Sequence, residues 1–185
     1  MELEKLFGNF LLTIGLKGDA AKVDAENPMT IDVYIPIKNQ KYKANIFGNK
    51  DTKQIIVSFS APFQVKAGKF VDACMLFNYI NDHYSYAGRL SVNDEGDIQY
   101  KEIINVADLE LDSDIIHIMI EGGKLIFTEI EETIAAVALT SKSYEAIRLE
   151  YDKWDAYREV QRKEKKNEAW AKGKEYETPT PDNGE

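Results

Sequence analysis

Cys74 is the only cysteine in the 185 residues, and His83 and His117 are the only histidines. A nucleophilic thiol–imidazole pair needs both groups within hydrogen-bond reach. Cys74 and His83 stand nine residues apart in a stretch of helical spacing, and at about 100° per residue they point to opposite sides. Cys74 instead shares a stripe with Phe70 and Phe77, which reads as a buried, inert thiol. His117 belongs to another segment, and nothing in the sequence brings it to Cys74. A zinc site needs several Cys, His or carboxylate ligands at short spacing, and none is present in that pattern.

The carboxylates fall into two groups. Asp108, Glu110, Asp112 and Asp114 alternate as in a calcium loop. Ser113 stands where such a loop turns on glycine, and Met119 where it needs a bidentate glutamate. Asp112 and Asp114 therefore read as caps for the helix that follows, whose first N–H groups carry partial positive charge. Asp94, Glu95 and Asp97 surround Gly96 in a turn, where solvated acids are ordinary. Gly122-Gly123-Lys124 lacks the upstream glycine of a phosphate-binding loop. The chain is expected to be no enzyme and to carry no metal or cofactor.

The elements around these residues follow from periodicity. Residues 2–17 space Leu3, Leu6, Phe7, Phe10, Leu11 and Ile14 by threes and fours, an amphipathic helix stopped by Gly15 and Gly18. Residues 30–37 alternate, with Ile31, Val33, Ile35 and Ile37 on one face and Asp32 and Tyr34 on the other. Short turns at Asn39-Gln40 and at 48–51 lead into strands 41–47 and 53–60, a meander that Pro62 ends. A helix over 66–84 follows, with Phe70, Ala73, Cys74, Phe77, Ile80 and Tyr84 along one stripe and Gly88 as its breaker. Tyr86, Leu90 and Val92, a turn at 93–97, then Ile98, Tyr100, Ile104 and Val106 make a hairpin.

A long helix is predicted over 112–138, on Ile116, Ile120, Gly123, Phe127, Ile130, Ile134 and Val137. Gly122 and Gly123 weaken it by about 1 kcal/mol each relative to alanine, so a kink or two helices are alternatives. A last helix starts near 142. The fold class is α+β, a five-stranded antiparallel sheet packed by helices in the order α-β-β-β-α-β-β-α, with an extra C-terminal helix. The expected organisation is a domain over 1–140, a helical extension over 141–172 and a disordered tail over 173–185.

Composition narrows the function. Apolar residues make up 44% and aromatics 11%, as in globular proteins. Net charge is −9, and residues 1–140 hold 13 basic against 21 acidic side chains. Such a body repels phosphates, which argues against nucleic acid and anionic membrane surfaces. No apolar run approaches the roughly 18 residues of a bilayer span. MELEK is no secretory n-region, and one cysteine forms no intramolecular disulfide. The expected location is the cytoplasm.

The run Leu76-Phe77-Asn78-Tyr79-Ile80-Asn81, the hairpin from Gly88 to Ile98, and the acidic connector into the long helix resemble the YbjN-like family of bacterial sensory transduction regulators. The resemblance extends over about 1–139. It implies a fold like that of type III secretion chaperones, which are commonly dimeric and bind segments of client protein. It implies no catalytic residues, and nothing carries over to the helix after Ser143.

One helix face is unusually wide. Between 115 and 128 the polar positions are the narrow stripe His117, Glu121, Lys124 and Thr128. Ile116, Ile120 and Phe127 flank it, while Ile115, Ile118, Met119, Leu125 and Ile126 spread the apolar surface beyond what one sheet covers. The chain's own helices, a second copy, or a foreign protein segment can supply the cover. In the last helix Tyr144, Ile147, Tyr151 and Trp154 form a similar stripe, above Glu145/Arg148, Glu150/Lys153, Asp155/Arg158 and Glu159/Arg162. Ile115, Ile118, Met119, Leu125 and Ile126, with Tyr144, Ile147, Tyr151 and Trp154, are the candidate partner-binding set. The expected function is a non-catalytic protein-binding module, chaperone-like or regulatory, working as a homodimer. The alternative is a small-ligand sensor in signal transduction, suggested by Tyr34, Tyr42, Phe47 and Phe59 on neighbouring strands.

Overall fold

Alternation of apolar and polar residues builds a sheet with one dry face, and helical stripes supply what covers it. A computed structural model describes residues 3–13, 22–23, 29–84, 86–107, 112 and 114–175. Its elements are α1 (Leu3–Thr13), β1 (Lys22–Val23), β2 (Thr30–Ile37), β3 (Gln40–Asn49), β4 (Gln54–Gln64), α2 (Phe70–His83), β5 (Arg89–Val92), β6 (Asp97–Asn105), α3 (Asp114–Leu139) and α4 (Tyr144–Glu175). The class is α+β and the order matches the patterning. The two-residue β1 is an addition, too short to show any period. The chain divides into two compact units, Met1–Tyr144 and Glu145–Glu185.

All pairings are antiparallel, in the spatial order β1-β2-β3-β4-β6-β5. Register carries one face through the sheet. Ile31 opposes Ile46, Ile46 opposes Val57, and Val57 opposes Glu102. Val33, Ala44, Phe59, Tyr100 and Leu90 line up in the neighbouring row of the same face. All of these are buried. α4 runs to Glu175, past the 173 at which the tail was expected to start, and 176–185 lie outside the described residues.

Pro62 does not end the meander. β4 continues through Gln64, and the register with β6 shifts between Ser60 and Gln64. At such an irregularity the missing N–H of proline breaks no ladder bond.

The outer strand of the hairpin is closed by a side chain. Asn81 of α2 donates through Nδ2 to the Leu90 carbonyl, and its Oδ1 accepts from the Leu90 N–H, both at 2.9 Å. One amide thus takes the place of a neighbouring strand. Gly88, read from sequence as a helix breaker, is required for closeness as well. A Cβ there would stand 2.5 Å from the Lys101 carbonyl oxygen and 2.6 Å from Tyr100 Cζ.

α3 is one unbroken helix of 26 residues. The glycine pair that was expected to weaken it lets it sit close to the sheet. A Cβ on Gly123 would lie 2.4 Å from two ring carbons of Phe59, and one on Gly122 would lie 3.3 Å from Glu102 Oε2. The entropic cost of glycine in a helix is offset by a closer approach.

Candidate partner-binding surface

The inward side of α3 is anchored along its length. Phe127 packs its ring 4.6 Å from that of Tyr42 and 6.3 Å from that of Phe59. The Tyr42 hydroxyl donates to Glu131 at 2.7 Å, and Lys38 approaches the same carboxylate at 3.5 Å. Glu131 is buried, so these two neighbours offset the cost of desolvating its charge. Burial and the Glu131 carboxylate raise the Tyr42 pKa, holding the phenol protonated and donating.

A second buried carboxylate, Glu102, faces Gly122. Glu102 accepts from the Tyr100 hydroxyl at 3.3 Å, and that hydroxyl accepts from the Gly88 N–H at 2.8 Å. Burial raises the Glu102 pKa against the lowering effect of the Tyr100 hydrogen bond, and burial pushes the Tyr100 phenol up to about 12.

Both ends of α3 are also held. His117 meets Thr13 Oγ1 at 3.1 Å through Nε2 and stands edge-on to Phe10, with centroids 4.9 Å apart. At the C-terminal end the Lys66 N–H donates to the Ala138 carbonyl at 3.0 Å and its ammonium to the Leu139 carbonyl at 2.7 Å. Lysine there satisfies otherwise orphaned carbonyls and complements the helix dipole. Asp72 accepts from the Tyr144 N–H at 2.9 Å and pairs with Lys69; hydrogen bonding to Lys69, then to Tyr144, lowers its pKa.

The outward side is different. Asp114, Ile118, Glu121, Leu125, Thr128 and Glu132 are all exposed, spaced by four and three along one stripe. Ile118 is 63% and Leu125 50% exposed, with Ile115 and Gly122 half-buried beside them. Glu121 and Lys124 form an ion pair at 3.1 Å on this side. Of the wide apolar surface, Met119 and Ile126 are fully buried, and a partner reaches neither without displacing what covers them. Ile115, Ile118 and Leu125 keep apolar atoms in water.

In α4, Tyr144, Ile147 and Tyr151 are buried and Trp154 is half-buried. Trp154 stacks 5.4 Å from Tyr151, with the Arg158 guanidinium 4.4 Å above its ring. Arg148 pairs with Asp152 at 3.7 Å and Lys163 with Glu159 at 3.4 Å, four residues apart.

The other candidate residues are scattered. Cys74 is exposed on α2, a correction to the buried thiol expected from spacing. The buried stripe is Ala73, Leu76, Phe77 and Ile80, so Cys74 lies one step round the helix from it. Among the described residues no group of three or more His, Cys, Asp or Glu is placed to hold a metal. Asp108 and Glu110 lie outside the described residues. Tyr42 and Phe59 are buried in the core, while register puts Tyr34 and Phe47 on the opposite face of the sheet. No described helix is long and apolar enough to cross a membrane.

Sequence reasoning did not single out Glu102 or Glu131 as buried acids, although a signal for each was present. Glu102 interrupts the apolar alternation between Tyr100 and Ile104, and Glu131 follows Phe127 by one helical turn. A charged residue in an apolar register is a buried acid awaiting a donor.

No family model matches the chain, so none stands behind the YbjN-like resemblance. None of the curated proteins matches it in sequence. Among solved structures it is similar to a chain of the HopA1–SchA chaperone–effector complex, with 12% identity, 68% of this chain and 89% of that chain covered, and a TM-score of 0.47. It is similar to a chain of the ExsC–ExsE complex at 12% identity, 70% and 96% coverage and a TM-score of 0.48. A chain of the heterodimeric ExoU–SpcU complex from the type III secretion system of Pseudomonas aeruginosa gives 14%, 71% and 96%, and 0.47. Likeness at that level is no ground for assigning a partner or an activity.

Proposed function

We propose that the chain is a non-catalytic protein-binding module, chaperone-like or regulatory, that works as a homodimer. The observation that carries this reading is the outward stripe of α3. Ile118 and Leu125 stand in water on a helix whose other side is fixed by Tyr42, Glu131, Lys66 and His117. Side chains presented from a rigid element lose little order on docking, which lowers the cost of association.

A stable interface buries about 1,600 Å² in total, so Ile118 and Leu125 are its centre and neighbouring surface its extent. Covering them contributes at roughly 25 cal/mol per Å² before association costs. Light scattering over a concentration series tests the reading. A dimer mass is expected for the native chain, and a monomer for the double variant Ile118→Asp/Leu125→Asp. Both positions are exposed in the single chain, so the variant is expected to stay folded, losing only what association adds to the native chain's stability. A native chain that stays monomeric at tens of micromolar removes the dimer. A double variant that remains dimeric removes the α3 surface.

A further inference from the structure

The sheet has a second face, and its charge runs against that of the chain. Residues of odd number in β3, β5 and β6, and of even number in β2 and β4, share it by register. Its bases are Lys41, Lys43, Arg89 and Lys101, its acids Asp32 and Asp97, in a chain of net charge −9. Asp32 is engaged by Lys43 at 2.9 Å and by Asn45 at 2.7 Å. Asp97, at the strand end, accepts from Gln64 at 2.7 Å and Asn93 at 3.1 Å. Lys41, Lys101 and Arg89 are exposed, and they leave the face basic.

An apolar row crosses this face. Phe47 opposes Ile56, and Ile56 opposes Ile103. Phe47 and Ile56 are half-buried, while Ile103 is 51% exposed. The next row along the strands is Asp32, Asn45, Ser58, Lys101 and Arg89, about 7 Å away. Three strands about 4.8 Å apart set the outer apolar residues about 10 Å from each other. Helix positions i, i+4 and i+7 span about 10.5 Å. An extended segment presents its anchors at i, i+2 and i+4 over about 13.5 Å, which overshoots.

We infer that this face docks an acidic amphipathic helix of a partner protein, its apolar stripe across Phe47, Ile56 and Ile103 and its carboxylates toward Lys101 and Arg89. The inference rests on the protein-binding reading above and names a second surface for it. The chain's other acids do not prevent the contact. At physiological ionic strength screening acts over about 8 Å, so a docked helix feels the bases beneath it. Nucleic acid, by contrast, extends past the face and meets the acidic remainder.

The probe is a fluorescent amphipathic peptide with Leu at i, i+4 and i+7 and Glu elsewhere, compared with a Lys-for-Glu version and a labelled single-stranded DNA. Anisotropy is expected to show binding of the Glu peptide alone, weakening as salt is raised. Ile103→Asp and Lys101→Glu are each expected to weaken it about tenfold. Lys101 is exposed, so Lys101→Glu reads the charge contribution even where Ile103→Asp unfolds the sheet. Equal binding of the Lys peptide, binding of DNA in place of peptide, or unchanged affinity in Lys101→Glu overturns the inference. Loss of binding in Ile118→Asp/Leu125→Asp with the sheet-face variants unaffected overturns it too, and leaves the α3 reading standing. Light scattering on Lys101→Glu separates the two, since its dimer mass is expected to be native.

Discussion

Replacing Gly123 by alanine sets two opposing effects against each other. Alanine in a helix interior is favoured over glycine by about 1 kcal/mol. At Gly123 the added methyl would stand 2.4 Å from Cδ2 and Cε2 of Phe59 and 3.1 Å from Cζ. Carbon atoms rest at about 3.5–4.0 Å, so the ring or the helix must give by about 1 Å. Phe59 is fully buried and packed near Phe127, which leaves the ring little room to turn. Overpacking of this kind costs about 1–3 kcal/mol, and two contacts so short place the cost near the top of that range. The net expectation is a loss of about 1–2 kcal/mol. Gly8, exposed in α1 with nothing within 4 Å of its added Cβ, isolates the first effect, and Gly8→Ala is expected to gain up to about 1 kcal/mol. Urea denaturation of both variants at one pH gives the comparison, read as midpoints at unchanged slope. If Gly123→Ala is stabilised as much as Gly8→Ala, the close seating of α3 on Phe59 is wrong.

The remaining predictions concern polar groups. Asn81→Ala leaves the outward N–H and C=O of Leu90 without their side-chain partner and is expected to cost about 1–3 kcal/mol. Hydrogen exchange at Leu90 is expected to accelerate first, and unchanged protection there would rule out the amide's role. Glu102 has a folded-state pKa raised by burial, so the native chain holds its proton longer than the unfolded one. Stability is therefore lost as pH rises from the ordinary carboxylate range through the raised value. Glu102→Gln keeps an acceptor for Tyr100 and removes that loss. It is expected to be more stable than native at neutral pH, with the gain vanishing in acid; a gain independent of pH would contradict the burial.

Much of the fold was legible because period and burial coincide. The alternation of Ile31, Val33 and Ile37, with Ile35 half-buried between the last two, and the stripe from Ile116 to Val137, are the faces that the structure places inside. Misreadings arose where a local rule met a tertiary exception. Pro62 sits at a register shift, and the glycines of α3 serve closeness where a break was an alternative. Cys74 shows how coarse a stripe is. Positions 70, 73, 74 and 77 share a broad side of the helix, but only Ala73 and Phe77 among them are fully buried. For the candidate surface, composition flagged the α3 segment, but which residues face outward depends on how the helix is rolled on the sheet. That roll is set by Gly122, Gly123 and Glu131, through contacts with residues 20 or more positions away.

The amide of Asn81 has a consequence for assembly. A bare strand at the margin of a sheet is a template on which other chains can lengthen the ladder into fibres. β5 is four residues long, and the outward backbone of Leu90 is already spoken for. Growth from that border is blocked at its centre, so copies of this chain can crowd together without polymerising through it.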